Sequence, residues 1–150
     1  GRSPYMVQNT IDIAAAIVLK GSDFAANDTM EVLNVPAGTV ILSAGIEIMT
    51  QLDGTCTLDM GFTGASPAAV DVFVDGLDVV GGAVGAYGTT PATEAAQVQV
   101  ISTADTIDVK FATETDVTSG KLRFWAILMD VSDMGAHDMI AASADRDYLA

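Results

Sequence analysis

The sequence predicts an all-β protein, specifically an antiparallel two-sheet sandwich of jelly-roll or Greek-key type with extended terminal arms. Short runs rich in β-branched residues recur about every ten residues, with Gly, Pro, Asp and Asn between them. Several of these runs alternate apolar and polar residues, which is typical of strands that bury one face. No long stretch of the sequence shows the 3.6-residue periodicity of an amphipathic helix. These three observations favour two packed sheets over any helical architecture.

Roughly eight or nine strands follow from this pattern. In the run at residues 11–19, the triplet Ala14–Ala16 leaves a helical turn open as the alternative. The run at residues 55–62 alternates most regularly, and Asp75–Gly76 is expected to end the run at 69–74. The predicted strands lie at residues 11–19, 30–35, 40–50, 55–62, 69–74, 97–101, 106–111 and 121–131.

Turn residues suggest how some of these strands connect. The segment 36–39, Pro-Ala-Gly-Thr, predicts a reversal of the chain. Asp53–Gly54 stands between two apolar runs and is the strongest short-range hairpin signal, so residues 39–61 are expected to form a β-hairpin. Gly45 lies inside the long strand at 40–50, where it predicts a β-bulge.

The strand at 121–131 is apolar on both faces, with Trp125, Ile127 and Met129 opposite a second apolar row. A strand of this kind is covered on both sides, either because it is central within one chain or because its second face is a subunit interface. In the second case Trp125 is the expected anchor. Tyr87, in the glycine-rich segment 76–93, is a further candidate for an exposed contact.

The chain divides into an N-terminal arm at residues 1–9, a sandwich domain at 10–131 and a C-terminal tail at 132–150. The tail carries apolar residues with little local core to join, which suggests anchors that order on a neighbouring subunit. An unattached terminus is the equally weighted alternative. The candidate interface residues are Tyr87, Trp125, Ile127, Met129, Met139, Ile140, Tyr148 and Leu149.

Charge excludes several classes of partner. Twenty acidic residues face six basic ones, and the net charge is −14. Such a chain repels polyanions, and its few Lys and Arg residues are scattered, so we expect no nucleic-acid binding. No apolar run approaches the ~20 residues of a membrane-spanning helix, so no membrane partner is expected. Cys56 is the one cysteine of the sequence, and we expect it to be a buried small hydrophobe.

Catalytic and metal-binding patterns are weak. His137 stands beside Asp138 in the tail, without the strained serine turn that a catalytic triad needs. Asp71, Asp75 and Asp78 supply oxygens of the kind that calcium prefers, but they lack EF-hand spacing. No dinucleotide fingerprint or phosphate loop is present. We therefore expect no enzyme activity, no metal site and no cofactor.

Several segments in the same order are similar to a family of small virion proteins of tailed bacteriophages, particularly T7-like podoviruses of marine hosts. They span roughly residues 30–131 and carry fold-type signals without any catalytic motif. The segments are Val35–Val40, Ala44–Ile48, Thr57–Gly64, Val72–Asp78, Ala104–Val109 and Ser119–Val131.

This resemblance implies a capsid decoration or cement protein, a homo-oligomer such as a dimer or trimer, without cofactor. Its expected location is the outer surface of the virion head, where it would clamp neighbouring major capsid subunits. A tail, fibre or adaptor component of the virion is the alternative within viral structure. A carbohydrate-binding β-sandwich module is the alternative from another class.

Overall fold

The computed structural model describes residues 3–63, 69–88 and 99–132. Within these ranges the chain forms nine strands and one helix, so nearly all of its regular structure is β. In chain order they are β1 (Tyr5–Asp12), α1 (Ile13–Lys20), β2 (Thr29–Val35), β3 (Thr39–Thr50), β4 (Thr55–Phe62), β5 (Ala69–Asp78), β6 (Tyr87–Gly88), β7 (Gln99–Ile101), β8 (Asp105–Thr115) and β9 (Lys121–Asp130).

The strands form two antiparallel sheets. Sheet I has the order β1-β9-β3-β6, and β7 also pairs with β3. Sheet II has the order β2-β8-β4-β5. The first four strands alternate between the sheets, and each sheet contains strands from both ends of the chain. This is the jelly-roll arrangement, and it confirms the predicted all-β sandwich.

The core lies between the two sheets. Alternate residues of each strand point inward, and most of those side chains are fully buried because period-2 strands expose only their other face. Phe24, from the loop after α1, stacks on Phe111 with ring centroids 4.4 Å apart and so extends the core beyond the strands. The largest buried side chains are Phe62, Phe73, Phe111, Phe124, Ile13, Ile41, Ile46, Ile48, Leu58, Met60, Ile107 and Leu122.

The predicted first strand at 11–19 is wrong, because most of that run is helix α1. The Asp12 carboxylate caps the helix by accepting a hydrogen bond of 3.0 Å from the Ala15 N–H. Gly21 ends it in the left-handed conformation, with φ +83°, and its N–H donates to Ile17 O at 2.9 Å. The alanine triplet favours helix, and these two caps satisfy backbone groups at its ends.

The expected arm at residues 1–9 also needs correction, because from Tyr5 onward this segment is a strand of sheet I. β1 pairs with β9 from Tyr5 opposite Leu128 to Asp12 opposite Lys121, without a register shift. Its side chains are mostly exposed. Polar residues such as Gln8 and Asn9 obscured the strand in the sequence, since an edge strand buries too little to require strict alternation.

The predicted hairpin at 39–61 is wrong as well. β3 lies in sheet I and β4 in sheet II, so Asp53–Gly54 joins the two sheets at one end of the sandwich. The Asp53 carboxylate accepts hydrogen bonds from the N–H groups of Thr118 and Ser119, at 2.7 and 2.9 Å. These hydrogen bonds tie the Asp53–Gly54 turn to the loop before β9, at the end of the sandwich where the chain crosses from sheet I to sheet II.

Irregularities in the strands differ from the predicted ones. Gly45 pairs directly with Trp125, and the register shifts of β3 fall at 41–43 and 48–50 instead. β5 does not end at Asp75–Gly76 but continues to Asp78, with an extra residue between Val74 and Leu77. Gly76 has φ +67° there, and its N–H donates to Asp59 Oδ1 at 2.8 Å. The bulge is therefore held by a side chain of the neighbouring strand.

Within residues 3–63, 69–88 and 99–132, no helix is long and apolar enough to cross a membrane.

Candidate functional site: the outer face of sheet I

The outward side of sheet I carries an apolar surface built from several strands. Directly opposed residues of antiparallel strands share a face, so Trp125 of β9 lies beside Gln8 of β1 and Gly45 of β3. The residues that define this outer face are Met6 of β1, Tyr87 of β6, Val100 of β7, and Trp125, Ile127 and Met129 of β9. They surround an ion pair between Glu47 and Arg123.

Trp125 is the centre of the outer face. The ring of Tyr87 lies on its indole, with centroids 4.8 Å apart and planes inclined by 10°. The Tyr87 hydroxyl donates to Met6 Sδ at 3.7 Å. Trp125 is consequently only 6% exposed, whereas Tyr87 and Met6 remain 44% and 47% exposed. A rigid aromatic pair with an open outer surface is typical of the anchors of protein interfaces.

The charges on the outer face neutralise each other. Arg123 Nη1 lies 3.1 Å from Glu47 Oε2 across the β9–β3 pair, and Glu47 is also opposite Tyr87. Partial burial raises the pKa of Tyr87, an effect that Arg123 opposes and Glu47 reinforces. The face therefore combines aromatic and apolar groups with a balanced ion pair, in a chain whose net charge is −14.

Two donors on this face lack an acceptor within the described part of the chain. Trp125 Nε1 and Arg123 Nε are buried, and neither has a hydrogen-bond partner there. Buried donors of this kind cost free energy until an acceptor reaches them.

The outward side of sheet II carries charged side chains, in contrast to the apolar outer face of sheet I. Asp59 of β4 is 9% exposed and lies opposite Lys110 of β8. Burial raises the pKa of Asp59, and the nearby charges of Asp75 and Asp71 raise it further, whereas Gly76 and Lys110 lower it. This side carries several carboxylates, two of them buried, so the two outward sides of the sandwich are chemically unequal.

The described residues offer little that resembles a catalytic or metal site. In residues 3–63, 69–88 and 99–132, no group of three or more His, Cys, Asp and Glu side chains could hold a metal ion. Of the three aspartates that were weighed as calcium ligands, Asp78 accepts hydrogen bonds from the N–H groups of Val80 and Gly81 and so fixes a turn. Burial raises the pKa of Cys56 to about 12, so its thiol is unreactive at neutral pH.

Two open hollows lie elsewhere on the surface. One, of about 470 Å³, lies beside β2 and β8, and its titratable lining residues are Glu31 and Asp105. The other, of about 370 Å³, has Cys56 and Asp78 in its lining. Neither lining includes a cationic side chain.

The structure brings together four of the predicted interface residues, namely Tyr87, Trp125, Ile127 and Met129. The other four lie in the tail outside the described residues, as does His137; they are Met139, Ile140, Tyr148 and Leu149. Sequence reasoning missed Met6, whose strand was not predicted, and Val100, which lay in the predicted strand at 97–101 but was not selected as an interface residue.

Sequence reasoning also missed a second apolar feature. Val18 and Leu19 of α1 are 78% and 89% exposed. The run Ala14–Leu19 could have indicated these exposed side chains, because as a helix it has no polar residue for its solvent-facing side.

Comparison with known proteins gives no sequence match: no protein-family model matches, and no curated protein matches. Solved structures do match in fold. A chain of the capsid asymmetric unit of cyanophage Pam1 has a TM-score of 0.63 and 13% identity, with 88% of this chain and 87% of that chain covered. A chain of the capsid of Ralstonia phage GP4 has a TM-score of 0.55 and 18% identity, with coverages of 87% and 86%.

A third similar chain comes from the acid-stable capsid of the Helicobacter pylori bacteriophage KHP30. Its TM-score is 0.52 and its identity 11%, with 86% of this chain and 90% of that chain covered. The sandwich is thus a fold that also occurs in three phage capsid structures, over nearly the whole length of each matched chain. At these identities the similarity concerns the fold.

Proposed function

We propose that this chain is a virion structural protein of a tailed bacteriophage, of the T7-like marine group that its sequence resembles. It decorates the outer surface of the head and clamps neighbouring major capsid subunits. The observation that carries this proposal is the outer face of sheet I, where a neutral aromatic surface holds the buried Trp125 indole without an acceptor. The fold shared with chains of three phage capsid structures supports the assignment to a virion.

The two sides of the sandwich suggest an orientation. The outer face of sheet I can be desolvated at modest cost, because its Glu47–Arg123 pair stays together and most of the side chains that define it are apolar. The acidic side of sheet II would face solvent, where carboxylates such as Asp75 keep the particle surface hydrated and repel other particles. The packaged DNA would then lie on the opposite side of the shell from the carboxylates of sheet II.

The proposed role requires no catalysis, because binding itself stabilises the shell. A protein that binds only the assembled shell stabilises it by RT ln(1 + [L]/Kd) for each site. When the concentration of free protein is a hundred times Kd, this stabilisation is about 2.7 kcal/mol per site. The proposed partner is the major capsid protein, and neither a cofactor nor a nucleic acid takes part.

The test is binding to expanded heads of the encoding phage that lack this protein. We expect saturable binding at a fixed ratio to the capsid subunits and an increase in the temperature at which the heads disrupt. The substitution Ile127→Glu places a charge in the middle of the outer face and should weaken binding by roughly tenfold or more, since a buried unpaired charge is costly. The matched control is Val84→Glu, which adds the same charge in an exposed turn.

Other outcomes assign other functions. Wild-type protein that does not bind the heads overturns the decoration role, and binding to tails instead would make it a tail component. Saturable binding to glycans without head binding would favour the carbohydrate-binding module. If the double substitution Val18→Glu/Leu19→Glu in α1 abolishes head binding while Ile127→Glu does not, the helix is the docking element and the outer face is not.

A further inference from the structure

The four edges of the two sheets are protected to different degrees. An edge strand presents unpaired N–H and C=O groups that can pair with a strand of another chain. Proteins usually block such pairing by short strands, bulges or charges at the edge. The edges of this sandwich are β1 and the β6/β7 side of sheet I, and β2 and β5 of sheet II.

Two of these edges, β2 and β5, carry such protection. Of the β6/β7 edge only residues 87–88 and 99–101 are described, and both pair with β3. β2 has a register shift between Glu31 and Leu33, and Asn9 Nδ2 donates to the Val32 carbonyl there at 3.0 Å. β5 is irregular along its pairing with β4, and it carries Asp71, Asp75 and Asp78.

β1 has none of these features. It pairs with β9 in one unbroken register along all of its eight residues, so its other edge is regular too. It contains no proline, and its one charged residue is Asp12 at the end. Six of its eight residues are exposed, and the contact of its open edge with another described strand is the Asn9 side chain on the Val32 carbonyl of β2. Every second residue of β1 therefore directs its N–H and C=O away from β9.

We propose that β1 pairs antiparallel with β1 of a second copy of this chain and joins two copies of sheet I into one continuous sheet. The two-fold axis passes through the middle of β1, perpendicular to the sheet. Such a pairing separates the two Asp12 carboxylates by roughly 27 Å, because each lies four residues from Gln8 at about 3.4 Å per residue.

Of the long edges, β1 is the one at which two copies of the chain can meet with the least charge repulsion. Two chains of net charge −14 repel each other, and the other long edges would bring together Glu31 of β2 or the three aspartates of β5. At β1 the groups that meet are uncharged backbone amides and side chains such as Gln8 and Thr10. This edge can therefore form main-chain hydrogen bonds without opposing carboxylates.

The symmetry has a consequence for attachment, which rests on the proposed function. A two-fold axis perpendicular to the sheet places both outer faces on the same side of the dimer, with Met6 of each copy near the junction. The dimer would then engage a shell through two identical faces at once. Bivalent attachment raises avidity without any new contact.

The oligomeric state of the full chain tests the inference, independently of head binding. Sedimentation over a wide concentration range should give a species of twice the 15.4 kDa chain mass at high concentration. The double substitution Gln8→Glu/Thr10→Glu sets carboxylates against each other across the axis and should weaken dimerisation by roughly tenfold or more. The single chain should tolerate it, because Thr10 is opposite Arg123. Ala83→Glu/Val84→Glu is the matched control and should leave the dimer intact.

Hydrogen exchange locates the contact without any substitution. Amides of β1 that face away from β9 should exchange slowly at high concentration and rapidly after dilution. A wild-type chain that stays monomeric overturns the proposal, as does an oligomer in which β1 exchange does not depend on concentration. Ile127→Glu that loses head binding but keeps the dimer separates this inference from the proposed function.

Discussion

Tyr87 and Trp125 form a parallel stack across sheet I, and the hydroxyl of Tyr87 reaches over to Met6 of β1. The stack covers the one tryptophan in the sequence, so the fluorescence of the protein reports this contact directly. β6, which positions Tyr87, pairs with β3 at Glu47, and the aromatic contact adds a second link between β6 and the centre of sheet I.

Replacing Tyr87 with Ala should uncover the indole. We expect a red shift of tryptophan emission and a loss of about 1 kcal/mol in the free energy of unfolding, the usual contribution of an aromatic pair. Urea unfolding followed by fluorescence gives both quantities. Tyr5→Ala removes an exposed tyrosine away from Trp125 and should leave the emission maximum unchanged. An unshifted spectrum in Tyr87→Ala would show that the stack does not persist in solution.

Asp53 should make stability depend on pH in the acidic range. Hydrogen bonds from Thr118 and Ser119 hold the pKa of Asp53 well below its ordinary value of 3.8. A carboxyl with a lowered folded-state pKa stabilises the fold above 3.8, and that stability is lost as pH falls toward the folded pKa. Asp53→Asn should therefore be less stable than wild type at pH 7, and the difference should shrink below about pH 3.8.

Thermal unfolding of both proteins from neutral to acidic pH measures this difference. Asp23→Asn is the control, because the Asp23 side chain makes no hydrogen bond to any described residue. A gap between Asp53→Asn and wild type that stays constant through the acidic range would contradict the linkage.

Asp59 should have the opposite effect. Its pKa is raised, first by burial, so the folded state favours the protonated form and loses stability as pH rises from 3.8 through the raised pKa. Asp59→Asn keeps an oxygen that can accept from the Gly76 N–H and should be more stable than wild type at neutral pH. Its advantage should disappear in acid. Chemical unfolding at several pH values measures it.

Replacing Lys110 should change the stability in the opposite direction. The Lys110 charge lowers the pKa of Asp59, so Lys110→Met should destabilise the protein at neutral pH. If Asp59→Asn is less stable than wild type at pH 7, burial of this carboxylate is not the dominant effect.

Gly61 should tolerate no side chain. A Cβ there would overlap the backbone oxygen of Ala69 and lie 2.7 Å from the carbonyl carbon of Val70. Because backbone cannot move aside easily, Gly61→Ala should cost about 2–3 kcal/mol in the free energy of unfolding. In Gly81→Ala the new methyl group meets the Asp78 side chain instead, and the loss should be smaller. Equal losses in the two variants would be evidence against a close approach of β4 and β5.

Local patterns in the sequence predicted most of the strands. Alternation at residues 55–62 placed Cys56 and Met60 in the core, where both are buried. The same period-2 argument placed Trp125, Ile127 and Met129 on one face of β9. Local alternation suffices at such positions because it states directly which side chains share a side of a strand.

Strand pairing could not be predicted, because it joins residues that are distant in the sequence. Asp53–Gly54 has the residues of a hairpin turn, yet the strands on either side of it pair with β9 and β8 in different sheets. The contact between Tyr87 and Trp125 depends on that topology and has no local signal. Helix α1 was left only as the alternative at Ala14–Ala16, because the β-branched residues on both sides of the alanines favoured a strand.

The place of β9 in sheet I determines how the protein can fold. Every other strand precedes β9 in the chain, yet β9 lies between β1 and β3, so Tyr5 acquires its partner only when Leu128 arrives. Sheet I therefore cannot assemble while residues 121–130 are still within the ribosome. Its contacts are mostly distant in sequence, which places it among slowly folding β-proteins, on a timescale of roughly milliseconds to seconds. Until that step, the edges of β1 and β3 that pair with β9 have no partner, which makes the incomplete chain prone to wrong pairing.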